Sequence, residues 1–281
     1  MSCVHEALSR AGGSILGGAA GPSQSLPLMN TSDEELIAQV PVHTRPLSTD
    51  ALMIDPSNSH DGPVEEFRAL RTRLNHMQSR QAMRTVVITS ASPAEGKSFA
   101  AANLALTQAQ LSGNRVLLCD FDLRRPVIHK MFQMDPGPGL TDYLLGNTPL
   151  PAALRRIGEG NLFVLPAGSP VTNPLELLNL PAAKELLARL SGIFQWVLLD
   201  SPPLLFAADG NLLSTLCDAT ILVVRIGSTT IDSIARARQT LCHDNVIGII
   251  VNGARRGELY SKYSYYHADY AELAASSALA S

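Results

Sequence analysis

The 281-residue sequence has few cysteines and no excess of basic residues. Its four cysteines, Cys3, Cys119, Cys217 and Cys242, are scattered without C-x-x-C spacing. This argues against a zinc site or a disulfide scaffold and is typical of a reducing compartment. The net charge is −3 at neutral pH, whereas proteins that coat nucleic acid usually carry a basic excess. These two shortages predict a cytoplasmic protein with no nucleic-acid partner.

Long hydrophobic runs are also missing. A membrane helix needs ~18–20 consecutive apolar residues, but the longest runs, 221–226 and 246–251, have only the length of a strand. The N-terminus has no basic stretch followed by an apolar one, so no signal peptide is predicted. Hydrophobic residues nevertheless make up 46% of the chain, which is enough for a sizeable core.

The sequence divides into three parts. Residues 1–62 are rich in Gly, Ser, Pro and Ala and are predicted to be a mostly disordered tether, with one short helix after the capping-box pattern at 32–35. Residues 63–255 alternate continuous apolar strands with helices, including one helix expected over 174–190. Residues 256–281 are predicted to be a flexible, tyrosine-rich tail. The middle part predicts an α/β fold with a mostly parallel sheet covered by helices on both faces.

A phosphate-binding motif follows the first of these strands. Residues 91–98 read ASPAEGKS and match a Walker A loop, except that Ala replaces the usual first Gly. A loop at a helix N-terminus directs unpaired backbone N–H groups at an anion. Gly96 lets the backbone approach phosphates, Lys97 reaches their oxygens and Ser98 can bind Mg²⁺. The motif predicts a nucleotide site in a three-layer P-loop NTPase fold.

Acidic residues end two further strands. Asp120 and Asp122 follow the strand at 116–119, and Asp200 follows the strand at 196–199. The carboxyl ends of parallel strands face the ligand crevice of open α/β sheets. Oxygen ligands of this kind suit Mg²⁺, so Ser98 and Asp200 are expected to suffice as its protein ligands.

Together these residues resemble the bacterial tyrosine kinases (BY-kinases) of exopolysaccharide and capsule systems, over roughly residues 60–270. Besides the loop, residues 116–126 are similar to the additional Walker A′ motif of that family, and residues 196–203 to its Walker B strand. The segments GLTDYL at 139–144 and NPLELL at 173–178, with PAG at 166–168, also resemble family signatures. The resemblance implies an ATP-dependent protein-tyrosine autokinase of the stand-alone type.

The resemblance also implies a role for each matching residue. Lys97 would stabilise the β/γ phosphates, Asp122 would support the water shell of the metal, and Arg124 would order the site. Asp120 would accept the proton of the attacking tyrosine, and it joins Ser98 and Asp200 as a candidate Mg²⁺ ligand. The expected nucleotide contacts are Ser92, Pro93, Ala94, Glu95, Gly96, Lys97, Ser98 and Phe99. Asn252 either reads the adenine edge or is a turn residue.

Further features bear on assembly and partners. Glu65, Arg68 and Arg71 lie on one face of a helix and resemble the ring-assembly motif of the family, although a solvated charge pair would have the same spacing. The resemblance implies a membrane-embedded chain-length regulator as activator and a cognate phosphotyrosine phosphatase. The protein is then expected in the cytoplasm, recruited to the inner face of the membrane. Residues 228–230, Ser-Thr-Thr, resemble a family stretch to which no role is assigned.

Five of the six tyrosines lie within eleven residues of the tail. They alternate with Ser, Lys, His, Ala and Asp, so core packing is poor, and too few basic residues accompany them for a nucleic-acid groove. They are the expected phosphate acceptors: Tyr260, Tyr263, Tyr265, Tyr266 and Tyr270.

Two other functions stay open from the sequence. Partition and division-site ATPases of the ParA/MinD type have related motifs, but they carry a signature lysine where this chain has Ser92. An ATP-binding scaffold without transfer is the other alternative, because Ala94 stands where the family more commonly has Gly. Alanine there is tolerable at negative φ and damaging if the loop requires a positive one.

Overall fold

Buried apolar strands form the centre of the structure. The computed structural model describes residues 33–44, 62–242 and 245–254. Within these residues it has the strands β1 (Val42–His43), β2 (Thr85–Ser90), β3 (Val116–Asp120), β4 (Arg155–Ile157), β5 (Leu162–Leu165), β6 (Trp196–Asp200), β7 (Ala219–Arg225) and β8 (Val246–Asn252). Every residue of β2, β3, β5 and β6 is buried, as continuous apolar runs in a doubly covered sheet require.

Helices connect the strands. In chain order they are α1 (Asp33–Ala38), α2 (Gly62–Gln78), α3 (Lys97–Ala109), α4 (Ile128–Met131), α5 (Leu140–Leu144), α6 (Leu150–Ala153), α7 (Pro174–Leu178), α8 (Pro181–Ile193), α9 (Ala208–Leu216) and α10 (Ile231–Thr240). Among the described residues, none of these helices has the length and apolarity to cross a bilayer.

The strands form one sheet in the order β1-β4-β5-β3-β6-β2-β7-β8. Neighbouring strands are parallel, except that β4 and β5 are antiparallel. This order places β6 between β2 and β3, so the carboxyl ends of these three strands lie side by side. The phosphate-binding loop and the two acidic strand ends therefore meet at one edge of the sheet.

Alternate residues of each strand enter different cores. Val87, Leu117 and Leu199 pack on one face of the sheet, against residues of α1 and α5–α9. Val86 and Leu118 pack on the other face, against α2, α3 and α4. The α/β fold with helices on both faces is thus confirmed. The strands predicted at 116–119 and 196–199 match β3 and β6 to within one residue, whereas β1 and β4 were not predicted.

The helix expected over 174–190 is broken into α7 and α8. Leu180 has φ −63° and ψ 145°, and Pro181 opens α8. Proline disfavours the helical conformation in the residue before it and removes a backbone donor. The break therefore lies where the proline occurs.

Residues 33–44 belong to the sheet domain, although the sequence placed them in the tether. The short helix expected after the capping box is present as α1, which buries Leu36, and Val40 is buried beside it. β1 then pairs with β4 at the sheet edge. Two buried apolar side chains and one short pairing are too weak a pattern to stand out among the surrounding polar residues.

Candidate active site

The loop between β2 and α3 has the backbone geometry of an anion site. Gly96 lies at the N-terminus of α3 with φ +98°, and no side chain caps the helix there. At this positive φ a side chain is strained, and a Cβ would also lie 1.9 Å from the Asn252 amide nitrogen, so the position favours glycine. The first-turn amides of α3 therefore remain available to a ligand.

Ala94 has the conformation that the sequence left open. Its φ is +63°, in the left-handed region. For a residue with a Cβ, this conformation costs roughly 1–2 kcal/mol of backbone strain. The loop therefore holds backbone strain at this alanine.

Lys97 lies among the carboxylates of the neighbouring strand ends. Its Nζ is 2.8 Å from Asp122 Oδ2 and 3.6 Å from Asp200 Oδ1, and it also donates to Ser98 Oγ at 3.2 Å. Burial lowers the pKa of Lys97, but Asp200 and Asp122 outweigh this and raise it above the ordinary value. The lysine therefore stays protonated and places a positive charge beside the loop.

Asp120 and Asp200 are direct neighbours across β3 and β6 and are fully buried. The amides of Val127 and Ile128 donate to Asp120 Oδ2 at 3.1 and 3.0 Å. Burial and the Asp200 charge raise the pKa of Asp120 well above its usual range. Burial likewise raises the pKa of Asp200 to about 6, against the opposing charge of Lys97. Perturbed carboxyls in a crevice are typical of a catalytic site.

The donor set fits Mg²⁺. Asp120 Oδ1 and both Asp200 oxygens are buried without a hydrogen-bond partner among the described residues. Magnesium prefers such oxygen ligands and completes its shell with water and phosphate. Over the same described part of the chain, no group of three or more His, Cys, Asp or Glu side chains is placed to hold a metal alone. A metal here therefore needs Ser98, water or substrate oxygens as well.

Arg124 binds a carboxylate that the sequence analysis missed. Its Nε and Nη2 donate to Asp209 Oδ2 and Oδ1 at 2.7 and 3.2 Å, and Asp209 is buried at the start of α9. The residues are 85 positions apart, and no local pattern marks Asp209. A two-pronged pair of this kind fixes the arginine side chain beside the site.

The other predicted loop residues have different surroundings. Glu95 is only 1% exposed, and its Oε2 accepts from the Ser92 amide at 2.9 Å. Pro93 is exposed, and the Phe99 ring packs edge-on against Phe67 at 6.0 Å. The carboxylate of Glu95 and the ring of Phe99 thus contact protein in this structure.

Asn252 contacts the loop as well. Its Nδ2 donates to the Glu95 carbonyl at 3.0 Å, and its Oδ1 accepts from the Gly253 amide at 2.8 Å. Both ends of the side-chain amide are therefore engaged by protein. Its reading of an adenine edge stays a prediction.

Two segments that resembled separate family signatures form one structural unit. The amides of Leu140 and Thr141 donate to the carbonyls of Pro166 and Ala167 at 2.8 and 2.9 Å. Asp142 closes the unit, because its Oδ2 accepts from the amides of Gly139 and Ser169 at 2.8 and 3.2 Å. This unit lies at the end of β5 and supports the sheet edge that carries the site.

The predicted assembly residues lie on α2. Glu65 and Arg68 form an ion pair of 2.5 Å within the helix. Arg71 Nη1 donates to the Thr107 carbonyl at 2.9 Å, near the end of α3. The five predicted acceptor tyrosines lie outside the described residues.

Similar proteins agree on one activity. A scan of protein-family models found no match. The chain is 38% identical over 204 residues to the tyrosine-protein kinase YwqD of Bacillus subtilis, covering 72% of this chain and 85% of that protein. It is 34% identical over 210 residues to the tyrosine-protein kinase Etk of Escherichia coli, covering 74% of this chain but only 29% of that longer protein.

Solved structures point the same way. The kinase domain of the Escherichia coli tyrosine kinase ETK superposes with a TM-score of 0.67 at 29% identity, covering 79% of this chain and 94% of that one. The septum site-determining protein MinD of Pyrococcus horikoshii reaches 0.53 at 22% identity, covering 62% and 72%. The second likeness is one of fold alone.

Proposed function

Because the chain belongs to the bacterial tyrosine-protein kinases, we propose that it phosphorylates the tyrosines of its own C-terminal cluster, one copy acting on another. The observation that carries this proposal is the juxtaposition of Lys97 with the buried carboxylates of Asp120 and Asp200 at the loop, where Asp120 Oδ1 and both Asp200 oxygens accept no hydrogen bond from the described residues. Phosphoryl transfer depends on positioning and charge stabilisation, and this group of side chains offers both.

Each residue then has a distinct task. The backbone amides at the start of α3 bind the phosphates of ATP, and Lys97 moves from Asp122 to their oxygens. Asp120 takes the proton of the attacking tyrosine, whose pKa near 10 makes a base useful at neutral pH.

A divalent metal completes the site. Ser98 and Asp200, with Asp120 beside them, would hold Mg²⁺, which when bound supplies positive charge to the phosphate oxygens. Asp122 holds Lys97 through its Oδ2 and the Arg125 amide through its Oδ1 at 3.1 Å. It therefore holds the lysine, and it would support the water shell of a bound metal.

Assembly and partners extend the proposal. Copies form a ring through the α2 face that carries Glu65, Arg68 and Arg71, and each tail enters the site of a neighbour. A membrane chain-length regulator recruits the kinase to the inner face of the membrane and activates it, and a phosphotyrosine phosphatase resets it. Through this cycle the protein regulates exopolysaccharide polymerisation or export.

Mass spectrometry of the purified protein with ATP and Mg²⁺ tests the activity. The matched variants are Lys97→Met, which removes the phosphate-binding charge, and a five-fold Tyr→Phe variant of the cluster. We expect several phosphates per chain in the wild type, all within 260–270, and none in either variant. Steady ATP hydrolysis with unmodified tyrosines would instead assign a ParA/MinD-like switch. ATP binding without hydrolysis or transfer would assign an ATP-binding scaffold.

A further inference from the structure

We propose that Arg225 and Thr229, at the end of β7, are positioning residues that hold the phosphate-binding loop in its binding conformation. Together with Glu95 they form what we call the loop clamp. This inference rests on the proposed binding of nucleotide phosphates by the loop. It gives a role to the Ser-Thr-Thr stretch at 228–230, which sequence resemblance alone left without one.

The clamp acts first on the strained residue of the loop. Ala94 has φ +63°, and a strained backbone conformation persists only where its surroundings hold it. The Arg225 guanidinium donates from Nη1 to the Ala94 carbonyl at 3.1 Å. This bond crosses 131 residues of sequence and fixes the peptide group that follows Ala94.

The second contact is the Glu95 carboxylate. Its Oε2 accepts from the Ser92 amide at 2.9 Å, and its Oε1 accepts from the Thr229 hydroxyl at 2.5 Å. The Thr229 hydroxyl oxygen in turn accepts from the Arg225 amide at 2.8 Å. A carboxylate that is 1% exposed and satisfied in this way is directed into the protein, away from a ligand.

The clamp is anchored on rigid elements. The amides of Ser228 and Thr229 donate to the Arg225 carbonyl at 3.2 and 2.9 Å, which closes a turn directly after β7. Thr230 then caps α10, accepting from the Ser233 amide at 3.1 Å. The loop is thus held from β7 and α10, on the side of the sheet away from β3 and Asp120.

This geometry predicts that the clamp affects nucleotide binding and not the phosphoryl-transfer step. Arg225 and Thr229 contact the Ala94 carbonyl and the Glu95 carboxylate of the loop. Among the described residues, no hydrogen bond or ion pair joins either of them to Lys97, Asp120 or Asp200. Loss of the clamp frees the loop to leave its left-handed conformation, which lowers the population of the binding-competent state. The KM for ATP should therefore rise while kcat stays nearly constant, since ground state and transition state lose the same interaction.

The variants Thr229→Val and Arg225→Met remove the hydroxyl and the guanidinium while keeping the side-chain bulk. Thr215→Val and Arg236→Met are matched controls. The Thr215 hydroxyl donates to the Leu212 carbonyl of its own helix, and Arg236 pairs with the exposed Asp232 one turn away. Isothermal titration with Mg-ADP gives affinity without any acceptor tyrosine, so a failure of tyrosine phosphorylation does not affect it.

We expect each clamp variant to raise the Kd for Mg-ADP and the KM for ATP about tenfold, with kcat within about twofold. The controls should change neither value, and Thr229→Ser, which keeps the hydroxyl, should restore affinity. Unchanged affinity in Thr229→Val and Arg225→Met would overturn the proposal. So would a loss of kcat at constant KM, which is the signature of a smaller folded fraction.

Coupling to Ala94 provides a second, independent test. Glycine adopts a positive φ without strain, so in an Ala94→Gly background the loop depends less on Arg225. Arg225→Met should then raise the Kd only about threefold, against about tenfold in the wild-type background. Equal factors in the two backgrounds would contradict a clamp that holds the strained residue.

Discussion

At the scale of single residues, the site concentrates negative charge where little water reaches it. Asp120 and Asp200 are adjacent and buried, and burial followed by their mutual charge raises the pKa of Asp120. Such an arrangement costs folding free energy and is retained for function. We therefore expect Asp120→Asn to lower the rate of tyrosine phosphorylation about 100-fold or more, yet to raise the free energy of unfolding by about 1 kcal/mol.

Urea unfolding of the nucleotide-free protein and the initial rate of phosphate incorporation measure the two effects. The asparagine oxygen can still accept from the Val127 and Ile128 amides, so the local bonds survive. Asp232→Asn, which removes an exposed carboxylate on α10, is the control. A variant that is both less stable and fully active would contradict this account of Asp120.

Asp142 is the opposite case, a carboxyl held in its charged form. Burial alone would raise the pKa of Asp142, but hydrogen bonds from Ser169 and the Gly139 amide outweigh it and bring the pKa below its usual value. A lowered folded pKa gives stability that is present above the ordinary value of about 3.9 and is lost as the pH falls through the folded value.

Replacement of Asp142 by Asn should accordingly cost about 2 kcal/mol at pH 7. The difference from wild type should stay constant down to about pH 5 and shrink below about pH 4. Chemical unfolding across this range, with the exposed Glu185→Gln as reference, measures it. A difference that persists undiminished at pH 3 would show that the Asp142 charge does not contribute.

Only some of these site residues could be predicted from the sequence. Asp120 and Asp200 were found because each ends a continuous apolar strand, and parallel strands bring such ends together. Asp209 and Thr229 were not identified as site residues. Their partners, Arg124 and Glu95, lie 85 and 134 positions away, and only the packed fold brings them together.

At the scale of elements, the structural unit of residues 139–144 and 166–168 depends on a close backbone approach. A Cβ on Gly139 would lie 2.3 Å from the Pro166 carbonyl oxygen and 2.5 Å from the Gly168 amide nitrogen. Both neighbours are backbone atoms and cannot move away cheaply. Gly139→Ala should therefore lower the free energy of unfolding by about 3 kcal/mol or more.

Gly192 provides the matched substitution. It lies near the end of α8, and an added Cβ there meets nothing within 4 Å. Gly192→Ala should be neutral or stabilise by up to about 1 kcal/mol through helix propensity. Thermal unfolding of the two variants decides the matter, and similar midpoints for both would refute the close-approach argument.

Sequence patterns predicted the boundaries of some helices and strands but not of others. Continuous apolar runs located the central strands, because burial on both faces leaves little room for polar residues. The break between α7 and α8 was missed although Pro181 was visible, since the apolar spacing continues across it. β1 and β4, with two and three residues, are too short to carry a periodic signal.

At the scale of the whole molecule, we expect phosphorylation of the tail to oppose assembly. Each phosphotyrosine adds about −1.5 to −2 charges at neutral pH, and five on one tail far exceed the net charge of −3 of the entire chain. We expect the fully phosphorylated protein to sediment as smaller species than the unphosphorylated one at equal concentration. The five-fold Tyr→Phe variant should stay assembled in the presence of ATP. Equal sedimentation of the two phosphorylation states would contradict this link.

The strand order explains why the location of the site could be predicted from the sequence. Placing β6 between β2 and β3 brings the Walker A loop, Asp120 and Asp200 to one edge, as the motif order along the chain implies for this fold. The proposed ring and the proposed contact of the tail with a neighbouring site involve a second chain. The sequence supports them only through resemblance.

Transfer of phosphate between copies can be tested by mixing two variants. Lys97→Met protein keeps its tail but lacks the catalytic charge, and the five-fold Tyr→Phe variant keeps its site but lacks acceptors. When both are incubated with ATP and Mg²⁺, mass spectrometry should find phosphate on the tail tyrosines of the Lys97→Met copies, which stay unmodified alone. Lys97→Met copies that stay unmodified in the mixture, while wild-type protein phosphorylates itself, would contradict transfer between copies.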